Sequence, residues 1–149
     1  MISKDFIGKT IPPFTVRVEP RMVTTFAKAI GETNPIFFDI DYAKAQGLAN
    51  CPAPPTFAFS LNLLNDSPLG YLQDMGVSVG QILHGEQSFE YIRPIVVGDT
   101  VTLKGRVTDI YHKKGGALTF VILETDCLDE RGDLMVRMRS TTVVLNSQD

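Results

Sequence analysis

Apolar and polar positions change their period twice along the chain. After a break at Ile11-Pro12-Pro13, the stretch Phe14-Thr15-Val16-Arg17-Val18 alternates as a half-buried strand does. From Glu19-Pro20 the spacing becomes helical. Met22, Phe26, Ala29 and Ile30 recur at intervals of three and four and predict one apolar face. Pro20 suits a first turn, where its missing N–H has no partner to lose. Gly31 is placed to end that helix, because glycine takes left-handed backbone angles without strain. Asn34-Pro35 then forces an extended or turn conformation. A second short helix is predicted from Ile40 to Gln46, stopping at Gly47.

Three prolines, Pro52, Pro54 and Pro55, make the next connection stiff and non-helical. The run from Thr56 to Leu64 is apolar nearly all round, the mark of a helix buried on most sides. Asn65-Asp66-Ser67-Pro68 stops it, and Leu69-Gly70-Tyr71-Leu72 begins another short helical piece. From Gln81 the period falls to two. Four strands are predicted, at 81–93, 99–112, 117–128 and 134–145, joined by Pro94 to Gly98, by Lys113 to Gly116 and by Asp129 to Asp133. Val101, Leu103, Gly105 and Val107 share one face, and the first three long strands are expected to run as consecutive antiparallel neighbours. A long antiparallel sheet wrapped around one central apolar helix buries both economically. The fold class is therefore α+β, in a single domain over 1–149.

Composition narrows the function. With 149 residues, 44% hydrophobic and 21% charged, the chain is long enough for one core and too short for two. A net charge of −3 excludes neither small ligands nor protein partners but gives no reason to expect nucleic acid or an anionic membrane. No apolar run has the length of a membrane span and no early run reads as a signal peptide. The two cysteines, Cys51 and Cys127, are too few and too far apart for a disulfide framework or a zinc site. Free thiols in a cytoplasmic protein without metal or cofactor are expected.

The candidate chemistry gathers in two places. Glu32, Asn34, Phe37 and Phe38 surround the rigid corner between the first two helices; a capped helix–turn–helix corner would explain them as well. His84 and Glu86 stand at the start of the first long strand, two apart and so expected on one face; for His84 a backbone-bonded strand histidine is the plain alternative. His112 is expected to be solvated in a hairpin. Asp66 reads as part of a helix stop.

Three stretches carry a family resemblance, in order, over about residues 29–100. Gly31-Glu32-Thr33-Asn34-Pro35-Ile36-Phe37 resembles the G-D-x-N-P-x-H signature of the MaoC-like hydratases and dehydratases, with Glu32 in place of the catalytic Asp and Phe37 in place of the catalytic His. Ala53-Pro54-Pro55-Thr56-Phe57 resembles A-P-P-T-F of the FAS1-like dehydratase amino-terminal branch. His84-Gly85-Glu86-Gln87-Ser88-Phe89-Glu90-Tyr91, with Arg93-Pro94 and Gly98-Asp99, is similar to that branch's H-G-E-Q-x-F-x-Y-x-R-P…G-D. The resemblance implies a hot-dog fold with Thr56 to Leu64 as the central helix. It also implies an acyl-CoA or acyl-ACP thioester as ligand and an assembly with a second hot-dog chain, as a homodimer or as a heterodimer with a catalytic subunit. The activity implied is (R)-specific enoyl-thioester hydration or 3-hydroxyacyl dehydration, with the catalytic His supplied by the partner. Glu32 and His84 are the candidate catalytic residues; Asn34, Phe37, Pro55, Thr56 and Glu86 are the candidate substrate contacts. Two other readings stay open: an acyl-thioester-binding subunit without chemistry, and a stand-alone hot-dog hydratase or thioesterase using Glu32 and His84.

Overall fold

In the computed structural model, which describes residues 1–146, one five-stranded antiparallel sheet packs its inner face against short helices. The strands are β1 (Thr10–Arg17), β2 (Ile82–Tyr91), β3 (Thr100–Lys113), β4 (Leu118–Leu128) and β5 (Leu134–Leu145). The helices are α1 (Pro20–Ala29), α2 (Ile40–Ala45), α3 (Phe57–Leu61) and α4 (Gly70–Asp74). The four long predicted strands are all present with ends shifted by at most two residues, while β1 starts four residues before the predicted Phe14 and takes in the Ile11-Pro12-Pro13 break as an irregularity in its register. Their order is not the one expected. The sheet runs β1-β3-β4-β5-β2, so β3, β4 and β5 form the meander while β2 lies against β5 at the far edge. The eight residues between β2 and β3 make the return. Three strand spacings of about 4.8 Å are well within the reach of an eight-residue extended segment. That segment is also paired on its way: Ala53 N donates to Ile95 O at 2.7 Å and Val97 N to Cys51 O at 2.9 Å. The proline-rich connection is thus a short partner for the crossover as well as a stiff link.

Cross-strand register gives each face its character. On the inner face one row reads Phe14, Leu103, Cys127, Val136, Tyr91 across all five strands, and another reads Ile110, Val121, Thr142, His84 across β3, β4, β5 and β2. The outer face carries charges that alternate from strand to strand. Lys104 of β3 faces Asp126 of β4, which faces Arg137 of β5, which faces Glu90 of β2. Arg137 Nε lies 2.7 Å from Asp126 and 3.6 Å from Glu124.

The helix α1 starts and stops where the sequence predicts, with Gly31 at φ 79° closing it. Its buried face is rotated by about one position from the expected one. Val23 and Ala27 are buried, Met22 and Phe26 flank them, and Ala29 and Ile30 are exposed. α3 is shorter than the predicted Thr56–Leu64 run and continues as a single 3-10 turn, Asn62–Leu64. Phe57, Ala58 and Leu61 are buried against the sheet, but Leu63 and Leu64 are more than half exposed. The run is apolar all round because one side meets the sheet and the other is left uncovered in the single chain. Phe57, Ala58 and Leu61 join Val23, Leu103, Cys127 and Met138 in the main core. A second cluster packs α4 (Tyr71, Leu72) on Val107, Val121 and Val144 at the other end of the sheet. Among the described residues no helix is long and apolar enough to cross a membrane. His112 is not solvated as expected: its Nδ1 lies 3.0 Å from Thr119 Oγ1 in a half-buried latch.

Candidate functional site

The corner after α1 is built by caps. Glu32 N donates to Ala27 O at 2.9 Å and so closes the helix end. Asn34 Oδ1 accepts from Ile36 N at 3.0 Å, capping the 3-10 turn Pro35–Phe37 and leaving only its amide N–H groups for a ligand. Asp39 then caps α2, accepting from Asp41 N at 2.9 Å and Tyr42 N at 3.1 Å. Ile36 packs against the main core, while Phe37 is half-buried and Asn34 exposed. The half-buried Glu32 carboxylate has no hydrogen-bond or ion-pair partner among the described residues.

The head of α3 is held from two sides. Phe26 of α1 meets Phe57 edge-on, with ring centroids 5.5 Å apart. From the sheet, Tyr91 donates its hydroxyl to Pro55 O. Further along, His84 packs edge-on against Phe59 at 5.0 Å. The strand β2 therefore runs beside α3 in the opposite direction, His84 at one end and Tyr91 at the other. Pro55 has no N–H, and Phe57 N donates to Pro54 O at 2.9 Å. Thr56 is exposed, and its N–H has no acceptor among the described residues.

His84 and Glu86 do not share a face. The register shifts between them: His84 faces Thr142 and Glu86 faces Thr141, neighbours on β5 that point to opposite sides. The extra residue is Gly85, where a Cβ would stand 2.8 Å from Val143 Cγ2 and 3.2 Å from Thr141 O. The bulge sends Glu86 outward, to the charged face, and brings Gln87 inward, where it accepts from Ser140 Oγ. Two-residue periodicity misplaced Glu86 because a bulge adds one residue to the count.

Beneath α3 lies a cavity of about 110 Å³. All five strands line its floor and the segment from Phe59 to Tyr71 forms its roof. His84 lines it, with Nε2 3.1 Å from Glu86 O. Its exposed lining residues are Pro12, Leu63 and His84, which mark where it opens. Glu32, Asn34, Phe37, Pro55, Thr56 and Glu86 line no part of it. An apolar groove of about 640 Å³ runs outside, between α1 and α3, over Met22, Phe26, Phe57 and Leu64. Burial raises the Tyr71 phenol, and burial with the neighbouring Cys127 pushes Tyr91 up to about 12, so both are hydroxyl donors at neutral pH. Both thiols are free and buried; burial, then Asp126, pushes Cys127 up to about 12, and burial, then Asp39, raises Cys51.

Arg93 and Asp99, quoted among the family stretches, serve the crossover. Arg93 Nη1 is 3.1 Å from Asp99 Oδ2, which also accepts from Val96 N at 2.8 Å, and Gly98 takes φ 95° between them. Tyr91, Tyr71, Gln87, Thr125 and Thr142 are not site candidates from the sequence, whereas Asn62, with Asn65 and Asp66, is one only for the rival thioesterase reading. Of the former, only Tyr91 and Gln87 lie in a quoted family stretch, so only they carried a signal.

Comparison with known proteins fits this geometry. The model of the FAS1-like dehydratase domain region matches residues 5–138. A UPF0336 protein of Clavibacter michiganensis subsp. michiganensis is 34% identical over 146 residues, covering 96% of this chain and 95% of that protein. Among solved structures, a chain of the C-terminally truncated HadBC (3R-hydroxyacyl-ACP dehydratase) complex of Mycobacterium tuberculosis superposes with a TM-score of 0.78 at 23% identity, over 93% of this chain and 97% of that one. A MaoC-like dehydratase superposes with a TM-score of 0.83 at 22% identity, over 95% of this chain and 43% of that one. The fold is the hot-dog fold.

Proposed function

The chain belongs to the family of the FAS1-like dehydratase domain, and from there we propose that it is one subunit of an (R)-specific enoyl-thioester hydratase or 3-hydroxyacyl-thioester dehydratase whose acid–base histidine comes from a partner chain. The observation that carries this reading is the corner itself. Its fold is complete, capped by Asn34 and Asp39, yet the position of the family's histidine holds Phe37, which can neither take nor give a proton. Hydration of an enoyl thioester needs a base for the attacking water, an acid for the α-carbon and donors for the thioester oxygen. This chain supplies the third of these and part of the first. Thr56 N–H and the Asn34 amide have no acceptor among the described residues and can donate, Phe37 and Pro55 form apolar wall, and the Glu32 carboxylate, likewise without a partner among those residues, can bond the water. Glu86, turned to the outer face, has no part in it.

The partner reading gains support from the HadBC complex, a two-chain assembly in which one chain has this fold. The uncovered side of α3 and the unpaired edge of β2 are surfaces that a second hot-dog chain would cover. The stand-alone reading, with Glu32 and His84 acting together, finds less support, because His84 lines the cavity beneath α3 and Glu32 does not.

The test is a hydration assay with crotonyl-CoA on the purified chain, alone and with the protein that co-purifies with it from its native host. Alone, the rate should lie roughly two to four orders of magnitude below that of the complex, the usual cost of a missing positioned acid–base. An ordinary enzymatic rate from the isolated chain, abolished by Glu32→Gln, would make it a complete enzyme with a rebuilt site.

A further inference from the structure

The inner face of a hot-dog sheet that receives a saturated acyl chain has no need of hydroxyls, yet three buried inner-face positions along the cavity are Thr125, Ser140 and Thr142. Two of the three are occupied within the protein. Ser140 donates to Gln87, and Thr142 Oγ1 lies 3.4 Å from the Tyr71 hydroxyl. Thr125 differs. It sits on the central strand β4 at 3% exposure, and its hydroxyl bonds to no protein group among the described residues. No fully enclosed polar side-chain atom among those residues lacks a partner. The Thr125 hydroxyl is therefore open to the cavity. On the roof, the side-chain amide of Asn62, in the turn that continues α3, is likewise without a protein partner among the described residues. Gly105 opposite Thr125 adds no side chain, and a Cβ there would meet Ile11 Cγ1 at 2.9 Å. That glycine makes room for Ile11, which packs beside Thr125 at the cavity wall.

The volume limits what can enter. About 110 Å³ is less than the roughly 150 Å³ of an apolar cavity that accepts benzene, so the cavity holds the end of a short chain and not a long one. We propose, on the footing of the thioester reading above, that this cavity takes the distal end of a short acyl chain bearing a hydroxyl or ketone oxygen, held by Thr125 and Asn62. A saturated chain would displace water from both groups and return no hydrogen bond. Each buried polar group left without a partner weakens binding by on the order of tenfold, and sites built to bond an oxygen discriminate strongly against analogues that lack it.

The experiment is calorimetric titration of the purified full chain with four CoA thioesters: hexanoyl, hexanoyl hydroxylated on the penultimate carbon, hexanoyl with a ketone there, and dodecanoyl. The oxygenated thioesters should bind on the order of tenfold more tightly than hexanoyl, and dodecanoyl should bind least well. Thr125→Val should erase the preference by tightening hexanoyl toward the oxygenated thioesters, since no hydroxyl is then left unpaired beneath it; hexanoyl binding at or above its original affinity also reports an intact pocket. Thr125→Ser should retain the preference. If Thr125→Val does not fold, Asn62→Leu takes its place, with the same loss expected. Equal or tighter binding of hexanoyl or dodecanoyl by the unsubstituted chain, or a preference that survives Thr125→Val, overturns the proposal and leaves the dehydratase reading standing. Binding of none of the four, by the chain or by its complex with the co-purifying protein, removes the thioester reading itself.

Discussion

The hydroxyl of Tyr91, at the end of the edge strand, donates to the carbonyl of Pro55, at the head of α3. Among the described residues every peptide bond is trans, and in a trans peptide group the C=O and the following N–H point in opposite directions. By fixing the carbonyl of Pro55, Tyr91 also aims the N–H of Thr56 away from the sheet. Tyr91→Phe should lower stability by about 1 kcal/mol, the usual net worth of one such bond, in urea unfolding. It should also raise the Kd for acyl-CoA several-fold, because the thioester donor loses its anchor.

Gly85 has no room for a side chain. Gly85→Ala would drive a methyl group into Val143 and the carbonyl of Thr141, and overpacking of this kind typically costs about 1–3 kcal/mol. The expected result is a lower urea midpoint with an unchanged slope. A side-chain resonance of His84 that shifts in the same variant would report that the bulge sets the ring's position.

Asp99 serves the crossover twice, accepting from Arg93 and from Val96 N. Asp99→Ala leaves both donors without that acceptor. A loss of about 1–3 kcal/mol is expected, against less than about 1 kcal/mol for Lys104→Ala on the exposed outer face. Equal losses for the two would show that the crossover does not depend on the Asp99 bonds.

The two thiols should resist modification in the folded protein and react on unfolding. The folded Cys127 titrates near 12 against an ordinary value of 9.0, because burial, and then Asp126, disfavours the thiolate. Its contribution to stability is therefore full below about pH 9 and is lost as pH rises from 9 toward 12. Tyr91, raised from 10.0 to about 12 by burial and Cys127, acts in the same direction over the upper part of that window. Thermal melts from pH 7 to 11 should show a falling midpoint from about pH 9. Replacing Cys127 with Ala should blunt the fall while costing packing.

Much of the architecture is legible in the sequence, because a strand with one face buried must alternate, and β3, β4 and β5 do so over more than ten residues each. The caps of the corner were legible for the same local reason: Asn34-Pro35 and Gly31 act through their own backbones. What escaped depends on distance. Nothing near β2 says that it returns to β5; that follows from the crossover pairing with residues 51–53. Nothing in the alternation reveals a bulge, so Glu86 was read onto the inner face. Which of the two overlapping apolar stripes of α1 is buried depends on packing with residues distant in the chain, since Val23 joins Leu103, Cys127 and Met138 in the main core. Thr125 looks like any strand threonine until the folded sheet turns it to the cavity with no partner for its hydroxyl among the described residues.

The charges of the outer face have one more consequence. One sign prevails on each of four strands there: β3 (Lys104 and Arg106, with Asp109 beyond its bulge) and β5 (Arg137 and Arg139) are mainly basic, while β4 and β2 are acidic (Glu124 and Asp126, Glu86 and Glu90). β2 is one of the two edge strands of the sheet, β1 being the other. If two copies joined along β2 in a symmetric antiparallel pair, positions 86, 88 and 90 of one would meet the same positions of the other. Carboxylates would then face carboxylates or a serine, and like charges directly opposite each other destabilise a strand pair. A strand with lysine or arginine on its outer face, as β5 has on the other side, would complete the alternation. Along this edge the chain is a poor match for itself and a good one for a differently charged strand.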